Sequence, residues 1–137
     1  MRDLTSGLQL AGAEVVTVSD TTAVVSPIVD MQGADGLVFL IGAGTLADAD
    51  ATFTVLVEEG DVSNLSDAAA VADVDLNGTE ALAGFQFDDD DEGRKIGYAG
   101  SKRYVRCTVT PVANTGSAPL AIIPVKGMLT NQPGSNP

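Results

Sequence analysis

Apolar positions recur at a spacing of two along most of this chain, and glycine or turn residues interrupt them about every ten residues. Residues 52–58 (TFTVLVE) alternate cleanly. Phe53, Val55 and Val57 fall on one face, Thr52, Thr54 and Glu58 on the other, and Gly60 ends the strand. Residues 103–110 repeat the pattern, with Val105, Cys107 and Val109 set against Tyr104, Arg106 and Thr108. Pro111 and the turn Asn114-Thr115-Gly116-Ser117 close that strand. Residues 37–41 (LVFLI) form an unbroken apolar run between Gly36 and Gly42, which reads as a central strand buried on both faces.

The remaining segments are less regular. Residues 13–18 and 22–29 read as strands around a turn at Ser19-Asp20, with Pro27 marking an edge or a break. Residues 120–129 form the last strand, in which Pro124 and Gly127 mark an edge or a bulge. Residues 76–87 read as a further strand pair or an irregular edge. Residues 63–72 (SNLSDAAAVA) fit either a short helix capped by Ser63 or Ser66 or a loop. Residues 1–10 read as an extended arm and residues 130–137 as a loose polar tail. No repeat or linker divides the chain. Residues 11–129 therefore read as one all-β domain, an antiparallel β-sandwich of jelly-roll-like kind.

Composition changes this picture in two ways. The chain has 137 residues, no Trp and few aromatics, so its core is built from Val, Ile, Leu and Ala. Small side chains bury less area each, which points toward association of copies. The formal net charge is −12, which opposes phosphate and anionic membrane surfaces, so neither nucleic acid nor membrane is an expected partner. The start of the chain has no long apolar run and reads as neither signal peptide nor membrane span.

Candidate chemistry is sparse. Histidine is absent, which removes imidazole acid–base chemistry and any Ser/His/Asp set. The single cysteine, Cys107, lies on the apolar face of its strand and reads as a buried, inert thiol. Residues 41–47 (IGAGTLA) match a dinucleotide fingerprint, but the next strand starts near Thr52 and leaves no room for the helix that fingerprint needs. Residues 88–93 (DDDDEG) place Asp88, Asp90 and Glu92 at the first, third and fifth positions of an EF-hand-like loop. The twelfth position is Ala99, so that loop fails. A calcium site of another kind and a solvated acidic loop stay open as alternatives. The chain reads as a non-enzyme without a cofactor.

The positive charge is concentrated. Five of the seven Lys and Arg (Arg94, Lys95, Lys102, Arg103 and Arg106) stand within thirteen residues. The segment GYAGSKRYVRCTVTP (97–111), followed by APLAIIPVKGMLTNQP (118–133), resembles a group of small virion proteins encoded among the head genes of tailed bacteriophages and related prophages. Those proteins share a G-Y-x-G-x-K-R-Y-V-R segment, an alternating strand, a polar turn and a final apolar strand with a Pro-containing tail. Residues 37–61 are also similar, so the likeness covers about residues 10 to 133; the long acidic run at 88–92 departs from it.

The resemblance implies a structural protein of the phage particle, assembled in the bacterial host cytoplasm. It implies in particular a capsid cement (decoration) protein on the capsid exterior. Such a protein binds over joints between copies of the major capsid protein, often as a homo-oligomer, a trimer. A head–tail connector or tail component of the same virion is the nearest alternative. A calcium-dependent carbohydrate-binding module is an alternative of another class. Under the first reading Arg94, Lys95, Lys102, Arg103, Tyr104 and Arg106 are the candidate interface, meeting acids on the capsid or on a neighbouring copy. The competing expectation is that Arg103 and Arg106 pair with Glu58, Glu59 or the acidic loop within one subunit.

Overall fold

In the computed structural model, which describes residues 3–131, alternating segments become twelve strands. They are β1 (Gln9–Leu10), β2 (Glu14–Val18), β3 (Val24–Val25), β4 (Val29–Asp30), β5 (Ala34–Ala43), β6 (Thr52–Gly60), β7 (Ala69–Ala70), β8 (Leu76–Asn77), β9 (Phe85–Gln86), β10 (Gly93–Tyr98), β11 (Tyr104–Val112) and β12 (Ala118–Leu129). Among the described residues the one α-helix, α1 (Glu80–Ala83), is capped by the Thr79 hydroxyl, which accepts from the Leu82 amide.

Two antiparallel sheets result. Sheet A runs β2–β12–β5–β10–β8, with β1 on the same edge of β12 as β2. Sheet B places β3 and β4 along one edge of β11, then β6, then β7 and β9 along the far edge of β6. Successive long strands cross from one sheet to the other: β5 in A, β6 in B, β10 in A, β11 in B, β12 in A. This is jelly-roll order, β2–β12–β5–β10 facing β3–β11–β6–β7.

The core lies between the sheets and follows the alternation. Phe53, Val55 and Val57 of β6 and Val105, Cys107 and Val109 of β11 face Phe39, Ile41, Ile96, Leu120 and Ile122 of sheet A. Phe53 and Phe85 stack at 4.7 Å between ring centroids. Burying a full aliphatic side chain stabilises by about 1.5–3 kcal/mol, so these positions carry the fold despite the scarcity of aromatics.

Several expectations need correction. The run 37–41 is central in sheet A, between β12 and β10, but it is not buried on both faces. Leu37, Phe39 and Ile41 point inward, while Leu40 on the opposite face is 41% exposed. Gly36 and Gly42 do not bound the strand; both lie inside β5. Residues 63–72 form turns and the short β7, not a helix. The N-terminal segment is tied down more than a free arm, because Gln9 and Leu10 pair with Lys126 and Val125. Thr130 donates its amide to the Gly33 carbonyl, and residues 132–137 of the expected tail lie outside the described residues.

Pro27, Pro111 and Pro124 sit where the ladder has no need of their missing N–H. Ser26 donates to the Cys107 carbonyl, so odd residues of β11 face the β3–β4 edge. Pro111 has that parity and lies beyond the end of β3, so it continues the strand rather than closing it. Pro124 is buried in a strand paired on both sides, not at an edge. Its carbonyl accepts from Ala11 in the gap between β1 and β2, where no strand would have used its amide. Pro27 breaks the predicted strand 22–29 into β3 and β4, and the Ser26 hydroxyl takes over the ladder by accepting from the Cys107 amide at 3.0 Å.

Candidate functional site

The link between β10 and β11 is built around Tyr98. Its ring is buried between the sheets, and its hydroxyl donates to Glu59 Oε2 at 2.5 Å and accepts from the Lys102 amide at 2.9 Å. Burial, then the neighbouring Glu59 carboxylate, pushes the phenol well above its ordinary range, so it stays protonated. The chain at Gly100 passes so close to the ring that an added Cβ would lie 2.5 Å from Tyr98 Oη. Glycine is required there by proximity. The Ala99 amide donates to the Asp75 carbonyl at 2.8 Å, which fixes the other side of the turn. The segment 97–102 is therefore a braced turn.

The six candidate interface residues do not form one patch. Arg94 and Lys95 lie on β10 in sheet A, Lys102 and Arg103 in the turn, Tyr104 and Arg106 on β11 in sheet B. Within the chain, four of the five cations have a carboxylate partner. Arg94 pairs with Glu92 and, at 3.4 Å, with Asp89. Lys102 Nζ lies 2.5 Å from Asp61 Oδ2. Arg106 Nε donates to Glu58 Oε1 at 3.0 Å, its cross-strand neighbour on the outer face of sheet B. Arg103 meets neither Glu58 nor Glu59. It forks onto Asp30 with bonds of 2.9 and 3.0 Å, donates to Gln32 Oε1 at 2.8 Å, and lies 5.2 Å over the Tyr104 ring. Asp30 is available because β4 pairs with the start of β11, Tyr104 opposite Asp30. The Arg103 bonds hold the Asp30 carboxyl below the usual carboxylate range. Lys95 has no carboxylate partner among the described residues.

The acidic run is used locally. Asp90 accepts from the Leu46 amide at 2.8 Å, Asp89 accepts from the Gln86 amide at 2.9 Å, and the Glu92 carbonyl accepts from the Ala43 amide. The run is thereby pinned to the glycine loop that follows β5. Among the described residues no three His, Cys, Asp or Glu side chains gather as a metal site. No helix follows Gly44, so the dinucleotide fingerprint is a strand connection. Cys107 is buried, and desolvation pushes its thiol up to about 12.

The sequence reading missed the outer face of sheet A. There Val15 is 72% exposed and Leu10 41%, beside Leu40. Register pairs place Val15, Ala121, Gly42 and Gly93 in one row and Ile123, Leu40 and Lys95 in the next. A third row holds Leu10, Val125, Val38 and Gly97. The signal available in sequence was that LVFLI is apolar at both parities. Which parity is covered depends on how the sheets stack.

No family model and no curated protein matches the chain. Among solved structures it is similar to the CBM22-1 xylan-binding domain of Paenibacillus barcinonensis Xyn10C, with 12% identity, 91% of this chain and 88% of that chain covered, and a TM-score of 0.46. It is also similar to the SPBc2 prophage-derived protein YomS, with 10% identity, 83% and 95% covered, and a TM-score of 0.46. A chain of Triatoma Virus gives 9% identity, 91% and 64% covered, and a TM-score of 0.49. These likenesses concern the β-sandwich outline and assign the chain neither ligand nor partner.

Proposed function

We propose that this chain is a non-enzymatic structural protein of a tailed-phage particle, a cement protein that binds over joints between major capsid subunits. The observation that carries the reading is the braced turn together with the start of β11, where Lys102, Arg103 and Tyr104 are held in place before any partner arrives. The Arg103 side chain is half exposed, yet the Asp30 fork and the Tyr104 ring fix it. Arg and Tyr combine contact area with directed donors, which is why they concentrate at protein contacts. Pre-set side chains lose little entropy on binding. The depression of about 350 Å³ beside the turn, lined by Met31, Gln32, Ala34, Ser101, Lys102 and Arg103, offers a seat for a capsid loop.

The test is loading onto empty capsids built from the cognate major capsid protein. The Lys102→Ala, Arg103→Ala double variant should fold normally and load poorly. Wild-type loading by that variant removes the reading. Particle stoichiometry separates cement from connector: a copy number comparable to that of the major capsid protein supports cement, whereas a single ring supports a connector.

One observation favours a glycan-binding reading instead. The outer face of sheet B is polar, with Thr54 opposite Thr110 and Arg106 opposite Glu58, and Tyr104 supplies a ring at its end. That reading predicts retardation in gels containing soluble polysaccharide and a melting temperature raised by that polysaccharide.

A further inference from the structure

We infer that the outer face of sheet A is a self-association surface on which two copies of this chain pack back to back. The face is a ridge between two troughs. The ridge is Ile123–Leu40–Lys95. On one side the floor is Ala121–Gly42–Gly93, and the depressions there measure about 430 and 500 Å³. On the other side the floor runs through Val38 and Gly97, in a depression of about 860 Å³ walled by Leu8, Leu82 and Met128.

Gly42 points to an occupant from outside the chain. It lies within a central strand, where glycine costs about 0.5–1 kcal/mol relative to alanine. Its backbone has no positive φ, and an added Cβ would meet nothing within 4 Å. Nothing inside the chain asks for glycine there. A sheet packed on this face from outside would.

Three features select a second copy as that occupant. Rows about 6.8 Å apart and strands about 4.8 Å apart give three rows, at most four strands wide, a footprint of roughly 400 Å² per copy, or about 800 Å² in all. The rows alone fall short of the roughly 1,000 Å² a specific association needs, and Leu8, Leu82 and Met128, which wall the second trough, extend the face toward it. A ridge flanked by troughs is complementary to itself, as a two-fold contact requires. The three rows contain no acid and Asp35 is the acid that lines the second trough, although the chain has nineteen Asp and Glu, so two copies charged −12 meet here with little repulsion. Lys95 stands at the ridge end, in the polar rim. A sheet-on-sheet contact is two-fold, which departs from the trimer implied by the phage resemblance.

Sedimentation equilibrium of the full chain tests this, with circular dichroism confirming the fold of each variant. Wild type should show a reversible monomer–dimer equilibrium at micromolar to high-micromolar concentration. Leu40→Asp charges the ridge and should weaken it at least tenfold. Gly42→Leu adds a Cβ that meets no atom of the chain within 4 Å and carries the rest of its side chain into a trough, so it should abolish the dimer while leaving the monomer's melting temperature unchanged or higher. A monomeric wild type, or a Gly42→Leu chain that dimerises as before, overturns the inference. The inference is independent of the capsid reading. If wild type is monomeric and Leu40→Asp instead blocks capsid loading, the face belongs to the capsid. The self-association claim then fails and the cement reading stands.

Discussion

The Tyr98 hydroxyl of sheet A donates to the Glu59 carboxylate of sheet B at 2.5 Å, joining the two sheets at one end of the sandwich. The same oxygen accepts from the Lys102 amide, so one buried phenol holds both the sheet pair and the turn that presents Lys102 and Arg103. Tyr98→Phe keeps the ring and removes both bonds. Leaving a partly buried carboxylate and an amide without this partner should cost about 1–3 kcal/mol, read as a lower urea midpoint with unchanged slope. A midpoint equal to wild type would show that water replaces the hydroxyl at no loss.

Gly100 should tolerate substitution far worse than its place in a turn implies. A Cβ there meets the Tyr98 ring at 2.5 to 2.6 Å, and the ring is walled in by the core. Gly100→Ala should destabilise by about 1–3 kcal/mol, the usual range for overpacking. Combined with Tyr98→Phe, the losses should be less than additive, because both act on one contact. Full additivity in a double-mutant cycle would refute the shared origin.

Arg103 and Arg106 should separate by phenotype. Arg106 and Glu58 are each largely shielded, at 27% and 20% side-chain exposure, whereas Arg103 and Asp30 are near half exposed. Arg106→Ala should lower stability measurably. Arg103→Ala should change stability by under about 1 kcal/mol while reducing capsid loading. The reverse pattern in thermal melts and loading assays would move the contact from the turn to the sheet face.

Acid should loosen the loops before the core. Asp48 accepts from the amides of Asp50 and Thr115 and from the Thr115 hydroxyl, which holds its carboxyl well below the ordinary value of 3.8. Asp20, Asp30 and Asp67 are lowered by similar bonds. A group whose folded value is depressed stabilises fully above its unfolded value, and that stability drains away as pH falls through the folded value. Asp50 is raised by its neighbour Asp48 and opposes the trend weakly. The melting temperature should therefore fall as pH drops below about 4, less steeply for Asp48→Asn. A flat profile in both proteins would exclude these carboxylates as the source.

Cys107 should be silent toward a thiol reagent in the folded state. Its thiol is buried and held almost wholly protonated near neutral pH. One equivalent should react only in denaturant, at a rate tracking unfolding. Rapid labelling of the native chain would contradict its burial.

Alternation by itself determined β6 and β11, because a period of two commits Phe53, Val55, Val57, Val105, Cys107 and Val109 to one side whatever they pack against. Glycine and proline spacing likewise set the all-β class and placed an edge or a break at Pro27, which the structure resolves as the break between β3 and β4. Tertiary structure decided everything that depends on a partner strand far away in the chain. Asp30 became the mate of Arg103 through the β4–β11 register, across seventy-three positions, where nearer acids were expected. LVFLI is apolar at both parities, so only the stacking of sheet A on sheet B decided that Phe39 is core and Leu40 is surface. The physical reason is one of range. Backbone geometry acts between neighbours and is written in local pattern, whereas ion-pair choice and the covered side of a sheet are settled by contacts that exist only once the sandwich has closed.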